Sequence, residues 1–223
     1  QLVLIHLPRQ STYALSGPGS YVIRAREVFA LAEGRVAPAK ALPAAFQGVR
    51  LQAARIAQAS IAMRGTSGEQ GIRQLFPVAT WLLARPDALR WERPAHDLES
   101  DFIVQLTDSE NRTVFETTTR VAELPLPGEL RLEPGKLYGW QVKAVLADGR
   151  TLEAWAEFGV ADADLRARVE SACPPQGAGD AERIAYALFL EALDLREAAR
   201  AQWAEAARGR PHEPRLRALA ESH

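Results

Sequence analysis

The chain has little of several features that would narrow its function. It has one cysteine, Cys173, so it cannot form an intramolecular disulfide. No apolar run approaches the roughly 20 residues of a membrane helix, so we expect no membrane span in this chain. Basic and acidic residues nearly balance, at 27 and 28, which gives no long-range field favouring nucleic acid or anionic lipid. We therefore expect no nucleic-acid partner.

Residues that build metal or catalytic sites are also sparse. No metal-ligand spacing relates the four histidines, which are His6, His96, His212 and His223. His96-Asp97 falls in a predicted loop, where a solvated pair is the default and a ligand or base is the alternative. Four acids could cluster at strand ends, although the sequence does not fix their separation: Glu99, Asp101, Asp108 and Glu110. We expect no cofactor, no metal and no enzymatic activity.

The composition is that of an ordinary globular protein, with 47% hydrophobic and 25% charged residues. The 223 residues suffice for one to three domains with a real core. Abundant alanine, and arginine in preference to lysine, are associated with bacterial proteins. Because the chain starts at Gln1 instead of Met, we expect a processed or trimmed product, from which a signal peptide or anchor could have been removed.

Short strands and turns are predicted for residues 1 to 36. "LVLIHLP" is apolar and β-branched, and the Gly17-Pro18-Gly19 turn predicts a hairpin loop between two further strands. In the next strand we expect Val28, Ala30 and Leu31 to point inward. Residues 37 to 60 suggest a linker and a short helix, and "ASIAMRG" suggests one more strand. The polar loop at residues 66 to 71 is the first predicted boundary.

The clearest β pattern covers residues 72 to 160. Seven strands are predicted there: Phe76 to Leu83, Ala88 to Trp91, Asp101 to Thr107, Arg112 to Thr118, Ala122 to Leu126, Leu137 to Leu146 and Thr151 to Val160. Short strands at close spacing, separated by Pro, Gly, Asp and Asn, indicate a β-sandwich. The Asp148-Gly149 pair predicts a hairpin between the last two strands.

Aromatic residues alternate along the strand that begins at Leu137. Tyr138, Trp140, Val142 and Ala144 share one face, and alternation of period two indicates one buried face and one solvated face. We predict that Tyr138 and Trp140 lie in the sandwich core. A ligand platform made by the same aromatic side chains is the alternative.

Residues 161 to 223 change to helical spacing. "ADADLRARVESA" predicts a short helix, and Asp180 is the predicted cap of the next one. A third helix carries Ala199, Trp203 and Ala206 on one stripe. It ends at Gly209, with Pro211 beyond, as helix stop signals do. The fold class is therefore mainly β with C-terminal α, in three segments: 1–65, 72–160 and 161–223.

Three segments resemble known families. "LRWERP", "DFIVQLTD" and "LRLEPGKLYGWQVKAVLADGR" together resemble a fibronectin type III-like domain, which implies an immunoglobulin-like sandwich and no particular activity. The hairpin at about residues 180 to 213 resembles one tetratricopeptide repeat, with small Ala187, then Ala199, Trp203 and Ala206, although Arg183 occupies the repeat's early tryptophan position. One repeat does not bury both faces alone.

Residues 2 to 36, with "YALSGPGSYVI" and "ALAEGRV", are similar to the extracytoplasmic domain of FecR-like proteins. That family's domain lies in the periplasm, and its best-known members relay signals to a sigma factor. The resemblance therefore implies a periplasmic or otherwise extracytoplasmic location in a bacterium.

These resemblances lead us to expect a non-catalytic interaction module of the bacterial envelope, acting as adaptor or scaffold for another envelope protein. FecR-like signalling is one form it could take. The expected contact surface includes the hairpin residues Arg196, Arg200, Gln202 and Glu205. The alternative is a glycan-binding or peptidoglycan-binding protein that uses an exposed tryptophan, either Trp81 or Trp155.

Overall fold

The computed structural model describes residues 2–6, 9, 11–24, 27–37, 39–46, 71–94, 100–146, 149–210 and 212–221. The strands are β1 Leu2–His6, β2 Ser11–Ser16, β3 Ser20–Ile23, β4 Val28–Ala32, β5 Arg35–Val36, β6 Lys40–Ala41, β7 Arg73–Phe76, β8 Thr80–Leu82, β9 Ala88–Glu92, β10 Phe102–Asp108, β11 Thr113–Thr119, β12 Glu123–Pro125, β13 Leu137–Val145 and β14 Thr151–Val160. The helices are a 3-10 turn at Ala44–Phe46, α1 Ala163–Ala172, α2 Asp180–Ala192, α3 Arg196–Gly209 and α4 Pro214–Glu221.

The architecture is mainly β with C-terminal helices, as the sequence predicts. Contacts divide the chain into two units. One contains Gln1–Ala57 together with Ala167–His223, and the other is Gln58–Arg166. The division into segments 1–65, 72–160 and 161–223 stays a prediction, and the boundary loop and the strand expected at "ASIAMRG" fall almost wholly outside the described residues.

In the second unit, two sheets share one hydrophobic core. The larger sheet has the strand order β11-β10-β13-β14-β8, and the smaller one has the order β12-β9-β7. The core combines Leu89 and Trp91 of the smaller sheet with Val104, Trp140 and other inward side chains of the larger. Alternation decides which side chains these are, because successive residues of a strand point to opposite faces.

Tyr138 and Trp140 lie in this core, as predicted. Their side chains are 5% and 1% exposed, so the alternative of a ligand platform made by these two residues is excluded. The Trp140 indole donates a hydrogen bond of 2.9 Å to the carbonyl oxygen of Pro77. Trp91 packs against Phe102 and Trp140, with ring centroids 5.4 and 6.4 Å away.

The single strand predicted from Phe76 to Leu83 is wrong in one respect. It is two strands, and they belong to different sheets: β7 pairs with β9, whereas β8 pairs in parallel with β14. Pro77 follows β7 and has no amide hydrogen for a ladder, and Ala79 has a φ of 47°. The chain therefore leaves one sheet at Pro77 and enters the other at Thr80.

In the first unit, the loop from Ser16 to Ser20 is not the hairpin that the sequence predicts. β2 pairs with β1, β5 and β6, whereas β3 pairs with β4. The loop therefore connects two sheets. The Tyr21 hydroxyl donates to the carbonyl oxygen of Ser16 at 2.8 Å, which holds the chain at this change of direction. Val28 is buried as predicted, and Ala30 is half-buried, but the prediction for Leu31 is wrong, because its side chain is 63% exposed.

The helical hairpin packs inside the first unit. Phe46, which is 1% exposed, contacts Phe189 of α2 with a centroid separation of 4.6 Å. Lys40 forms an ion pair with Glu182, and Arg168 of α1 lies 5.9 Å from the Phe189 centroid. The face of α2 that a lone repeat would leave open is therefore filled by the N-terminal segment and α1.

The stripe predicted on α3 is confirmed, since Ala199, Trp203 and Ala206 are all buried. Gly209 ends α3 as predicted, while Pro211 lies outside the described residues. The predicted cap at Asp180 is wrong by one residue. Gly179 is the cap, and its N–H donates to the Glu182 carboxylate at 3.2 Å. The helix α4 was not predicted, because its eight residues show only a short apolar pattern.

Candidate binding surfaces

The four residues predicted to contact a partner all lie on α3, but they do not form one face. At 3.6 residues per turn, Arg196 and Arg200 lie on one side of the buried stripe, and Gln202 and Glu205 lie on the other. Arg200 is the most open of them, with 48% of its side chain exposed, and it lies 3.9 Å from Glu197. Glu205 lies 3.9 Å from Arg183 of α2 and also pairs with Arg208.

A second candidate surface is the outer face of the five-stranded sheet. Register places four side chains in one row across four strands: Glu116, Gln105, Gln141 and Trp155. The Gln105 amide donates to the Glu116 carboxylate at 2.8 Å and to the Thr113 hydroxyl at 3.0 Å. The Gln141 amide donates to the Gln105 oxygen at 3.3 Å. We call these four residues the outer row.

Trp155 closes the outer row with an indole that is 53% exposed. Its ring nitrogen lies 3.6 Å from the position that a Cβ would occupy on Gly139 of the neighbouring strand. The indole therefore extends over the bare backbone of β13. Trp81, the other tryptophan predicted to be exposed, is half-buried and covers Gly159 so closely that a Cβ there would overlap its ring.

The two glycines lie near each other on this face. Gly139 pairs with Glu157, and Gly159 lies two residues further along β14. That separation corresponds to about 7 Å along the strands and about 5 Å across them. Neither glycine has a positive φ, so side-chain space explains their use better than backbone conformation does.

Most of the charged side chains around the outer row are negative. Glu116, Glu153 and Glu157 are exposed on this face, whereas the cation beside them is Lys143. Lys143 pairs with Glu153 at 3.1 Å. The Glu157 carboxylate has no hydrogen-bond or ion-pair partner among the described residues. A polyanion would therefore meet an excess of carboxylates here.

The four acids that could have clustered do not form one group, although Asp108 and Glu110 both pair with Arg112. Asp101 and Asp108 lie at opposite ends of β10, and Glu99 is outside the described residues. Asp101 pairs with Arg120 at 2.8 Å. Asp108 closes a turn: the backbone N–H of Arg112, then its guanidinium, hold the pKa of that carboxyl below its ordinary value.

The remaining reactive side chains have structural surroundings. His6 is buried, and its Nε2 lies 2.7 Å from the carbonyl oxygen of Arg24. Cys173 is exposed. Burial raises the pKa of Tyr186 to about 12, and the neighbouring Cys173 adds to this shift. His96 and Asp97 lie outside the described residues.

A cleft of about 250 Å³ opens at one end of the sandwich, lined by Phe76, Leu82 to Ala88, and Arg90. Its arginines already have partners. Arg85 donates to the carbonyl oxygens of Pro127, Leu130 and Leu126 at 2.5 to 3.2 Å. Arg90 pairs with Glu123 at 3.0 Å. We interpret these arginines as structural residues that hold loops against the sheets.

Sequence reasoning singled out Trp155 but missed the rest of the outer row. Gln105 and Gln141 alternate with the buried residues of β10 and β13, so their outward direction was readable from the pattern. The sequence does not show that Gln105 and Gln141 lie in one row, because the register between β10 and β13 joins segments about thirty residues apart.

Among the described residues, no cluster of three or more His, Cys, Asp or Glu could hold a metal ion. Within the same residues, no helix combines the length and the apolar character needed to cross a membrane.

Comparison with known proteins adds little. No family model matches the chain, and no curated protein matches it. Among solved structures, the crystal structure of CopC from Methylosinus trichosporium OB3b is similar at 22% identity, covering 41% of this chain and 92% of that chain, with a TM-score of 0.32. At that TM-score the likeness supports no argument about fold or function.

Proposed function

We propose that this chain is a non-catalytic binding module of the bacterial cell envelope that holds another envelope protein through its helical hairpin. The observation that carries the proposal is the filled stripe of α3. Ala199, Trp203 and Ala206 are buried within the first unit, so the charged edges of α3 are the part of the helix left for a partner.

The proposed location and family relations depend on sequence resemblance. The FecR-like pattern of residues 2 to 36 supports a periplasmic location, and FecR-like signalling remains one form of the proposal. Two sheets packed on one core support the fibronectin type III-like interpretation of residues 72 to 160. Burial of Ala187, Ala199, Trp203 and Ala206 supports the tetratricopeptide-like interpretation of the hairpin.

The test is affinity capture from a bacterial envelope extract, followed by binding measurements on the purified partner. Removing the helices is a poor control, because it would expose Phe46, which packs on Phe189. Two double variants test the two edges of α3 separately: Arg196→Ala with Arg200→Ala, and Gln202→Ala with Glu205→Ala. Arg131→Ala, an exposed arginine of the sandwich unit, is the matched control.

We expect the wild type and the control to retain the same protein, and at least one double variant to bind it at least about tenfold more weakly, the equivalent of about 1.4 kcal/mol. Equal affinity of all four proteins for the purified partner would show that α3 is not the docking surface. Circular dichroism would verify that each variant keeps its helices.

Glycan binding is the second candidate function, and one specific observation favours it. Trp155 presents a half-exposed indole beside hydrogen-bonding amides on the outer face of a sheet. An aromatic plane next to amide and carboxylate groups matches a sugar, which offers both apolar C–H faces and hydroxyls.

A further inference from the structure

We propose that the outer face of the five-stranded sheet binds a neutral chain of hexopyranose sugars, with Trp155 as the stacking plane and the rest of the outer row as hydroxyl partners. This inference rests on the second candidate function and assigns its site. Four properties of the face support the proposal: the exposure of Trp155, the glycine beside it, the hydrogen bonds of the outer row, and the local charge.

Exposure of one large apolar residue needs no explanation by itself, because folded proteins expose many apolar atoms. The surroundings of Trp155 distinguish it from Val121, which is also an exposed apolar residue but lies in a turn. Trp155 lies in the interior of a ten-residue strand, at the end of the outer row. Its backbone pairs with Gln141 of β13, whereas β8 joins the other side of β14 only at Phe158–Val160.

Gly139 lies beside the ring nitrogen of this indole. A glycine inside a strand destabilises the fold relative to alanine, because it loses more conformational freedom on folding. A Cβ at this position would lie 3.0 Å from the Thr107 hydroxyl and 3.6 Å from the Trp155 ring nitrogen. The ring nitrogen of the indole lies near this bare backbone, and 53% of the side chain is exposed to solvent. A ring that already contacts the sheet loses little side-chain entropy when a ligand stacks on it.

The outer row supplies donors and acceptors in a fixed order. Gln141 donates to Gln105, and Gln105 donates to Glu116, so each side chain orients the next. An amide has one acceptor oxygen and two donor hydrogens, and a hydroxyl needs partners of both kinds. The row thus extends from the stacking plane across three neighbouring strands, as an elongated sugar chain would require.

The charge of the face selects the kind of sugar. The exposed carboxylates of Glu116, Glu153 and Glu157 stand against one paired cation, Lys143. A uronate, sulfate or phosphate would be repelled, because like charges brought close together cost free energy. Neutral hydroxyls can donate to the same carboxylates. The face therefore suits a neutral chain and disfavours an acidic one.

Isothermal titration calorimetry on the full chain tests the assignment, with chitohexaose and cellohexaose as neutral probes and heparin as the polyanion. The variants are Trp155→Ala and Gln141→Ala. Ile103→Ala is the matched control, because Ile103 is an exposed apolar residue on the same outer face but outside the outer row.

We expect a neutral probe to bind the wild type and the Ile103→Ala control alike. Loss of the stacking plane should weaken this binding by at least about tenfold, since aromatic contacts carry energies of this order. Gln141→Ala should weaken it by a smaller factor, and heparin should not compete.

The results that would overturn the inference distinguish a wrong site from a wrong function. If a neutral probe binds and Trp155→Ala leaves its affinity unchanged, the glycan function stands and the assigned site is wrong. If neither neutral probe binds the wild type at millimolar concentration, both the site and the glycan function fail. Tighter binding of heparin, or occupation of this face by a protein captured from the extract, would also contradict the assignment.

Discussion

The inner and outer faces of the five-stranded sheet use the same residue type in opposite ways. Trp140 and Trp155 are on adjacent strands, one register step apart, since Trp140 pairs with Ala156 and Gln141 pairs with Trp155. Trp140 is 1% exposed and Trp155 is 53% exposed. One tryptophan holds the two sheets together, and the other is available to a ligand. The role of a tryptophan in a strand therefore depends on which face of the sheet its position points to.

The largest expected effect comes from removing the inner tryptophan. Trp140→Ala should lower the free energy of unfolding by about 3–5 kcal/mol, because it leaves a cavity in the shared core and leaves the Pro77 carbonyl without its donor. Urea denaturation followed by circular dichroism measures this. A loss no greater than that of Trp155→Ala would show that Trp140 contributes no more to stability than Trp155 does.

A methyl group added to the outer face at Gly159 should come next. Gly159→Ala places a Cβ within the space of the Trp81 ring, so we expect a loss of about 1–3 kcal/mol from overpacking. Gly128→Ala is the control, since nothing lies within 4 Å of a Cβ at Gly128. The same denaturation experiment should show the control within about 0.5 kcal/mol of the wild type.

Burial of Tyr186 in the first unit should make the stability of the fold depend on pH in the alkaline range. Burial raises the pKa of Tyr186 from its ordinary value of 10.0 to about 12. The unfolded chain then loses this proton first, so stability is complete below pH 10 and falls as the pH rises towards 12. Tyr186→Phe should reduce this alkaline loss by on the order of 1 kcal/mol. Identical alkaline stability curves for the wild type and the variant would argue that Tyr186 ionises as freely in the fold as out of it.

The smallest effect on stability is expected at the outer tryptophan. Trp155→Ala should change the free energy of unfolding by no more than about 0.5–1 kcal/mol, because half of the side chain is already in water. Urea denaturation of this variant and of Trp140→Ala under the same conditions compares their free energies of unfolding directly. A loss above 2 kcal/mol, on the order of a buried side chain, would show that Trp155 is a structural residue.

The sequence predicted the strands of the sandwich well, because alternation is a local pattern. All six strands from β9 to β14 begin within one residue of their predicted starts. For β11, Arg112 was predicted and Thr113 is observed. Failures came where partner choice is non-local. Nothing local shows that β7 and β8 join different sheets, or that β2 and β3 do not pair.

The candidate sites show the same limit. Burial of Ala199, Trp203 and Ala206 follows from helical spacing, and so does the separation of Arg200 from Glu205. The outer row depends on the register of three strand pairs, and the space above Gly139 depends on the conformation of a side chain from another strand. Those properties belong to the folded chain.

The difference between the two tryptophans can be tested by recording the indole N–H resonances of the five tryptophans while chitohexaose or cellohexaose is added. The Trp155→Ala variant assigns the Trp155 signal by its disappearance. If Trp155 stacks on the sugar, its resonance shifts in a saturable way while that of Trp140 stays in place. A Trp155 resonance that does not move with either sugar would contradict this stacking.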